Sequence, residues 1–150
     1  MVISFCSCKH DYNPPPDFNF SLKFGYFGDK ISTFDSTYRT DGELASNRWG
    51  DTAVKVVFTK EEMKLIYEAL IKYDYLSLPD TLIAKECIMP CGRSQLIVVA
   101  NSKKKIIYTT ECCPTTHYMQ VFDSIQSPIF HILFPKKEIK NLLLHKPIAL

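Results

Sequence analysis

The chain has 150 residues, of which 46% are hydrophobic and 13% aromatic, so a disordered body is excluded and one domain with a buried core is expected. Its 18 basic and 16 acidic residues leave a formal net charge of +2, which is too small to indicate nucleic-acid binding. No apolar run reaches the ~20 residues that a membrane-spanning helix needs.

The first residues combine a short apolar stretch with a polar, proline-rich segment. The stretch reads MVISFCSC and the segment KHDYNPPPD. Together they resemble the end of a bacterial lipoprotein signal, which implies that Cys8 is acylated and that the segment is a tether. An ordinary flexible terminus with two thiols is the alternative. We expect residues 1–17 to be a truncated signal and tether, residues 18–150 to be the domain, and the protein to lie in the cell envelope or periplasm, lipid-anchored.

Strict alternation marks the first strand. Its apolar positions alternate with polar or small residues, so one face is apolar and the other faces solvent. The apolar positions are Phe18, Phe20, Leu22, Phe24 and Tyr26. Gly28-Asp29 predicts a turn. The run ISTFDSTYR at 31–39 then predicts one returning strand.

A capped helix follows a third strand. Alternating apolar residues at 52–58 predict that strand, and Thr59 with Glu62 has the spacing of a capping box. The helix carries one apolar face, which consists of Met63, Ile66, Leu70 and Tyr73. A short apolar segment, Tyr75 to Leu78, follows it, and Pro79 prevents further helix. Such a helix is expected to pack on a sheet.

The second half predicts a hairpin and further helices. Residues 81–93 are too irregular for a regular element, whereas 94–100 predicts a central strand and 105–111 its returning partner after a turn at 101–103. A helix is expected from Thr115 or Thr116, with a kink or restart at Ser127-Pro128, and another over 136–144.

This order predicts an α+β domain: an antiparallel sheet of about four to five strands with two or three helices packed on one face. The paired strands, the T-x-E-E helix ending in Leu78-Pro79-Asp80, the hairpin and the final helix resemble small uncharacterised lipoprotein domains of Bacteroides-type bacteria. The layout over residues 18–133 is similar, more distantly, to emfourin-type protease inhibitors. No inhibitory residue is implied by that similarity.

Four cysteines lie close together at 87, 91, 112 and 113. Their spacing does not fit a zinc knuckle, and no metal or other cofactor is expected. Structural disulfides are favoured over free thiols and redox chemistry. A hairpin centred on residue 102 would place Cys91 opposite Cys113, which predicts a Cys91–Cys113 bridge and a second bridge between Cys87 and Cys112.

The sequence lacks the common catalytic motifs, so we expect a non-enzymatic, envelope-associated binding domain whose partner is an unknown protein or envelope component. The expected contact surface is Arg39, Arg48 and Trp49, because Arg and Trp are frequent in binding hot spots. One alternative is a thiol enzyme with Cys113 as nucleophile and His117 as base. A domain like a protease inhibitor is the other.

Overall fold

A computed structural model describes residues 12–25, 28–40, 52–82, 93–110 and 117–144. Within these ranges the chain forms seven strands and three α-helices. The strands are β1 (Asn19–Phe24), β2 (Asp29–Ser32), β3 (Thr37–Thr40), β4 (Thr52–Lys55), β5 (Thr81–Leu82), β6 (Arg93–Ala100) and β7 (Lys103–Thr110). The helices are α1 (Lys60–Lys72), α2 (His117–Leu133) and α3 (Lys137–Leu144).

The seven strands form one sheet in the order β4-β3-β2-β1-β6-β7-β5. Every neighbouring pair is antiparallel except β5 and β7, which are parallel. The α+β class is therefore confirmed. The predicted count of four to five strands is wrong, because the sheet is larger and is mixed rather than wholly antiparallel.

Two features account for the extra strands, one local and one long-range. The run at 31–39 is divided between β2 and β3 by a turn in which Ser36 has φ +54° and Asp35 accepts a hydrogen bond from the Thr37 hydroxyl, 2.7 Å away. Residues 81–93 were expected to be irregular, but the first two of them form β5. Its polar neighbour Asp80 is held by Lys105 at 2.6 Å and accepts the Tyr108 N–H through its backbone oxygen at 2.8 Å. The contacts of Asp80 with Lys105 and Tyr108 join distant parts of the sequence, so a local sequence pattern could not predict β5.

The core lies between the helices and one face of the sheet. In cross-strand register, Leu22 lies opposite Ile31 on one side and Leu96 on the other, and all three are fully buried. The helices supply the other side of the core through apolar positions that recur at helical spacing: Ile66, Leu70, Phe122, Ile125, Ile129, Leu133 and Ile139. The alternate strand residues consequently point to the opposite face of the sheet.

The capping box predicted for α1 is present. The Thr59 hydroxyl oxygen accepts the Glu62 N–H at 3.2 Å, and Glu62 Oε2 accepts the Thr59 N–H at 2.8 Å. Ile66 and Leu70 are fully buried, as the apolar periodicity predicted.

A kink or a restart was expected at Ser127-Pro128; the restart does not occur, because α2 continues through Pro128 to Leu133. A proline inside a helix removes one backbone hydrogen bond. Ile125 and Ile129, which flank the proline, are both fully buried. Packing of the apolar face thus outweighs the local cost of the proline.

The β6–β7 hairpin differs by one residue from the register expected from the sequence. Arg93 lies opposite Thr110 and Ala100 opposite Lys103, which leaves a two-residue turn of Asn101 and Ser102. Both turn residues have positive φ, as in the type I′ turns that suit the twist of a hairpin. The argument for a Cys91–Cys113 bridge assumed a turn centred on residue 102, so it loses its geometric basis. The four cysteines themselves lie outside the described residues.

Candidate functional site

The sheet has a second face, opposite the helices, which we call the open face because no described helix covers it; the small residues Ser21 and Ser32 at its centre are nevertheless buried. It consists of the strand residues that alternate with the core positions. Three of them lie side by side in one cross-strand row, since Lys23 is opposite Lys30 and Lys30 is opposite Arg39. We call Lys23, Lys30 and Arg39 the basic row. Neighbouring strands are about 4.8 Å apart, so three positive charges occupy a short line.

Further cations surround the basic row. Lys55, Arg93 and Lys104 belong to the same face by register, and all three are exposed. Among the strand positions that the structure describes on this face, none is Asp or Glu. The open face is therefore strongly positive, although the whole chain has nearly balanced charge.

Asp35 is a carboxylate that reaches this face from the β2–β3 turn. It accepts hydrogen bonds from the Thr37 and Ser32 hydroxyls and lies 3.8 Å from the Arg39 guanidinium. The Thr37 hydroxyl is the main cause that lowers the pKa of Asp35. Asp35 is thus ionised at neutral pH and offsets part of the charge of Arg39, at one end of the basic row.

An apolar strip adjoins the basic row on β6 and β7. Ile97 lies directly opposite Ile106, Val99 is next along the strand, and all three are half-buried. Tyr108 continues the strip and is 48% exposed. We call Ile97, Val99, Ile106 and Tyr108 the apolar strip. An apolar centre with a polar rim is the usual arrangement of a protein–protein interface.

A groove of about 610 Å³ lies between α1 and α2 on the other side of the molecule. Its lining includes Glu68, Lys72 and Asp123 together with the exposed Leu65. The groove therefore combines side chains of both charges with apolar ones, among them Ala69, Tyr73 and Pro128. Because its charges are of both signs, it provides a weaker basis for binding a partner of one charge than the open face does.

Ser127 and His131 near this groove resemble a nucleophile and a base, but their geometry does not activate the serine. His131 Nδ1 is 3.2 Å from the Ser127 hydroxyl and 2.8 Å from the Ser127 backbone oxygen. A carbonyl oxygen only accepts, so the proton resides on Nδ1. That nitrogen then has no lone pair with which to take the serine proton.

Of the predicted site residues, the structure places Arg39 and His117. Arg39 is exposed and belongs to the basic row; His117 begins α2, is exposed, and has its ring 5.9 Å from that of Tyr118. The other predicted positions lie outside the described residues: Cys8, Arg48, Trp49, Cys87, Cys91, Cys112 and Cys113.

The remaining open-face residues were missed by the sequence reasoning. The alternation in β1 predicts that Lys23 lies on the polar face of that strand, which was the available signal. Lys30 and Arg39 were assigned to no common surface, because their alignment with Lys23 depends on the registers of three strands.

Neither a scan against protein-family models nor a search of curated proteins finds a match to this chain. Within the described ranges, none of the helices combines the length and the apolar character of a membrane span. The same residues hold no group of three or more His, Cys, Asp or Glu side chains that could bind a metal ion.

Proposed function

We propose that the protein is a non-enzymatic interaction domain of the cell envelope, held there by an acyl chain on Cys8, and that the open face is its binding surface. The observation that carries the proposal is the apolar strip flanked by cations on a sheet face that no described helix covers. Tyr and Arg side chains, both present there, are typical anchors of protein interfaces.

Site-specific photo-cross-linking in the native host tests the binding surface. We expect a cross-linking amino acid at Ile106 to capture a partner, because that position is central to the apolar strip. Leu65, exposed on α1 and lining the groove, is the matched control. Cross-links from position 65 alone, or from neither position, would contradict the proposal.

The tether is tested separately by mass spectrometry of the membrane fraction. An N-terminal fragment that carries lipid on Cys8 supports an envelope location. A soluble protein with an unmodified Cys8 would remove the anchor from the proposal.

Disulfides between the two cysteine clusters belong to the same proposal, because cysteines this close together are typical of proteins of an oxidising compartment. Peptide mapping without reduction tests them and identifies which of Cys87 and Cys91 pairs with which of Cys112 and Cys113. Four free thiols in protein from the native host would contradict an oxidising compartment.

A further inference from the structure

We infer that the partner of the open face is a protein whose contacting surface is acidic, with an apolar centre that matches the apolar strip. This inference rests on the proposed function, since it specifies what the same surface binds. Three observations support it: the positive charge of the open face, the recessed position of the apolar strip, and the poor fit of other classes of partner.

The charge argument begins with the uneven distribution of the cations. Six basic side chains project from the described strands of the open face: Lys23, Lys30, Arg39, Lys55, Arg93 and Lys104. A chain with a net charge of +2 must compensate for them elsewhere. Like charges on adjacent strands repel one another, so a facing carboxylate relieves an unfavourable interaction as well as forming a favourable one.

A second copy of this chain does not fit the open face. In a symmetric dimer the same patch meets itself, and the basic row of one copy would face the cations of the other. Such like-charge contacts disfavour association.

Single-stranded nucleic acid and membranes fit less well than a protein. Nucleic-acid platforms stack successive bases on several aromatic rings, whereas on the described strands of the open face Tyr108 is the sole exposed ring. A membrane surface calls for apolar side chains that protrude. Here Ile97, Val99 and Ile106 are half-buried, with exposed lysine and arginine side chains around them. A protein can present apolar side chains that reach this recessed strip and carboxylates that meet its rim.

The test uses a random copolymer of glutamate and tyrosine as the acidic, partly apolar polypeptide probe. Its binding is compared with that of a 20-nucleotide oligothymidine and of vesicles of phosphatidylglycerol and phosphatidylcholine. We expect the copolymer to bind most tightly, with an affinity that falls as NaCl is raised from about 50 to 300 mM, because the charges are exposed.

Charge variants locate the binding. Lys30→Glu with Arg39→Glu reverses two members of the basic row and should weaken copolymer binding about tenfold or more. The matched control is Lys60→Glu with Lys137→Glu, which makes the same charge change at exposed first-turn positions of α1 and α3. The control should change the affinity less than about twofold, since glutamate suits a helix N-terminus.

A variant that is expected to strengthen binding controls for loss of binding through damage to the fold. Asp35→Asn removes the carboxylate beside Arg39, so it should tighten copolymer binding about twofold. Weakening by Asp35→Asn would contradict the inference.

Equal losses in the Lys30/Arg39 and Lys60/Lys137 variants, or tighter binding of the oligonucleotide or vesicles, would overturn the inference. The cross-link from Ile106 separates the two proposals. If it persists at full yield in the Lys30→Glu/Arg39→Glu variant, the interaction domain stands and the acidic partner does not. If it is absent from the wild type, the proposed function fails.

Discussion

Asp17, which is distant in the sequence, forms hydrogen bonds with the backbone of the β6–β7 turn. Its two carboxylate oxygens accept the N–H groups of Asn101 at 2.9 Å and Ser102 at 2.7 Å. The Ser102 N–H is the main cause that lowers the pKa of Asp17, because the hydrogen bond favours the charged form. The carboxylate thereby stabilises a turn whose two residues both have positive φ.

We predict that Asp17→Asn destabilises the protein at neutral pH and that this difference disappears in acid. A lowered folded-state pKa contributes stability above the unfolded-state value of about 3.9, and the contribution is lost as the pH falls through the folded-state pKa. Urea unfolding of both proteins between about pH 3 and pH 7 measures the difference. A gap that stays constant through this range would show that the charge of Asp17 is irrelevant. Carboxyl NMR titration provides the direct control.

Tyr38 is a buried residue whose polar end has a defined partner. The side chain is 1% exposed, and its hydroxyl donates to Asp29 Oδ2 at 2.7 Å. Burial is the largest cause that raises the pKa of Tyr38, with Asp29 adding to it. The phenol therefore stays protonated in the folded protein well above the pH at which an exposed tyrosine ionises.

Tyr38→Phe should lower the free energy of unfolding by about 1 kcal/mol at pH 7, the usual net value of one hydrogen bond. A raised folded-state pKa contributes stability that is present below the unfolded-state value of about 10 and is lost as the pH rises beyond it. The wild type should thus lose stability above about pH 10 more steeply than the variant. Tyr118→Phe, at an exposed position, is the control and should change neither quantity. Parallel alkaline slopes for wild type and Tyr38→Phe would refute the assignment.

At the level of elements, Glu62 joins the start of α1 to the connection between α2 and α3. Its carboxylate completes the capping box and also accepts Lys136 Nζ at 2.9 and 2.8 Å. The ammonium group lies 5.1 Å from the centre of the Phe58 ring, and the Lys136 side chain is 15% exposed. Partial burial reduces solvent screening, so this ion pair should contribute more than a surface pair.

A double-mutant cycle measures that contribution. Glu62→Gln keeps an acceptor for the cap but removes the charge, and Lys136→Met keeps the apolar stem; their coupling should be about 1 kcal/mol. The control cycle is Asp35→Asn with Arg39→Gln, a half-exposed pair at 3.8 Å, with a coupling below about 0.5 kcal/mol. Similar couplings in the two cycles would mean that the Glu62–Lys136 pair is not specially favourable.

The elements that were predictable from sequence are those with local signals. The cap of α1 lies within four residues, and the alternation of β1 reports one buried face. The split between β2 and β3 was missed because the turn between them contains Thr33 and Phe34, which themselves favour strands, so the run at 31–39 shows no clear break. The predicted hairpin register was wrong by one residue, because the sequence Asn101-Ser102-Lys103 is compatible with a turn of either two or three residues. The open face depends on such registers in several strands at once, so its charge pattern could not be foreseen.

At the scale of the whole molecule, the basic row lowers the stability of the folded sheet. Lys30 has a cation opposite it on both neighbouring strands, whereas the exposed Lys55 lies opposite the neutral Thr37. Like charges directly opposite one another destabilise a sheet.

We predict that Lys30→Thr increases the free energy of unfolding by about 0.2–1 kcal/mol more than Lys55→Thr does. Both variants gain the strand preference of threonine, so the difference isolates the repulsion within the basic row. Chemical denaturation at low salt should show the full effect, and added salt should reduce it. An equal gain from the two substitutions would argue that the row is not under electrostatic strain.

The position of β1 in the middle of the sheet has a consequence for how the chain folds. β1 can pair with β2 as soon as the first turn closes, but its other neighbour is β6, with Leu22 opposite Leu96. At a synthesis rate of about 5–20 residues per second, the far edge of β1 waits roughly 4–15 s for that partner. During this interval an apolar strand has one free hydrogen-bonding edge, the arrangement that invites pairing with other chains. Rapid production of this protein should therefore favour misassembly through β1, and slower synthesis or a chaperone that covers nascent strands should favour the native sheet.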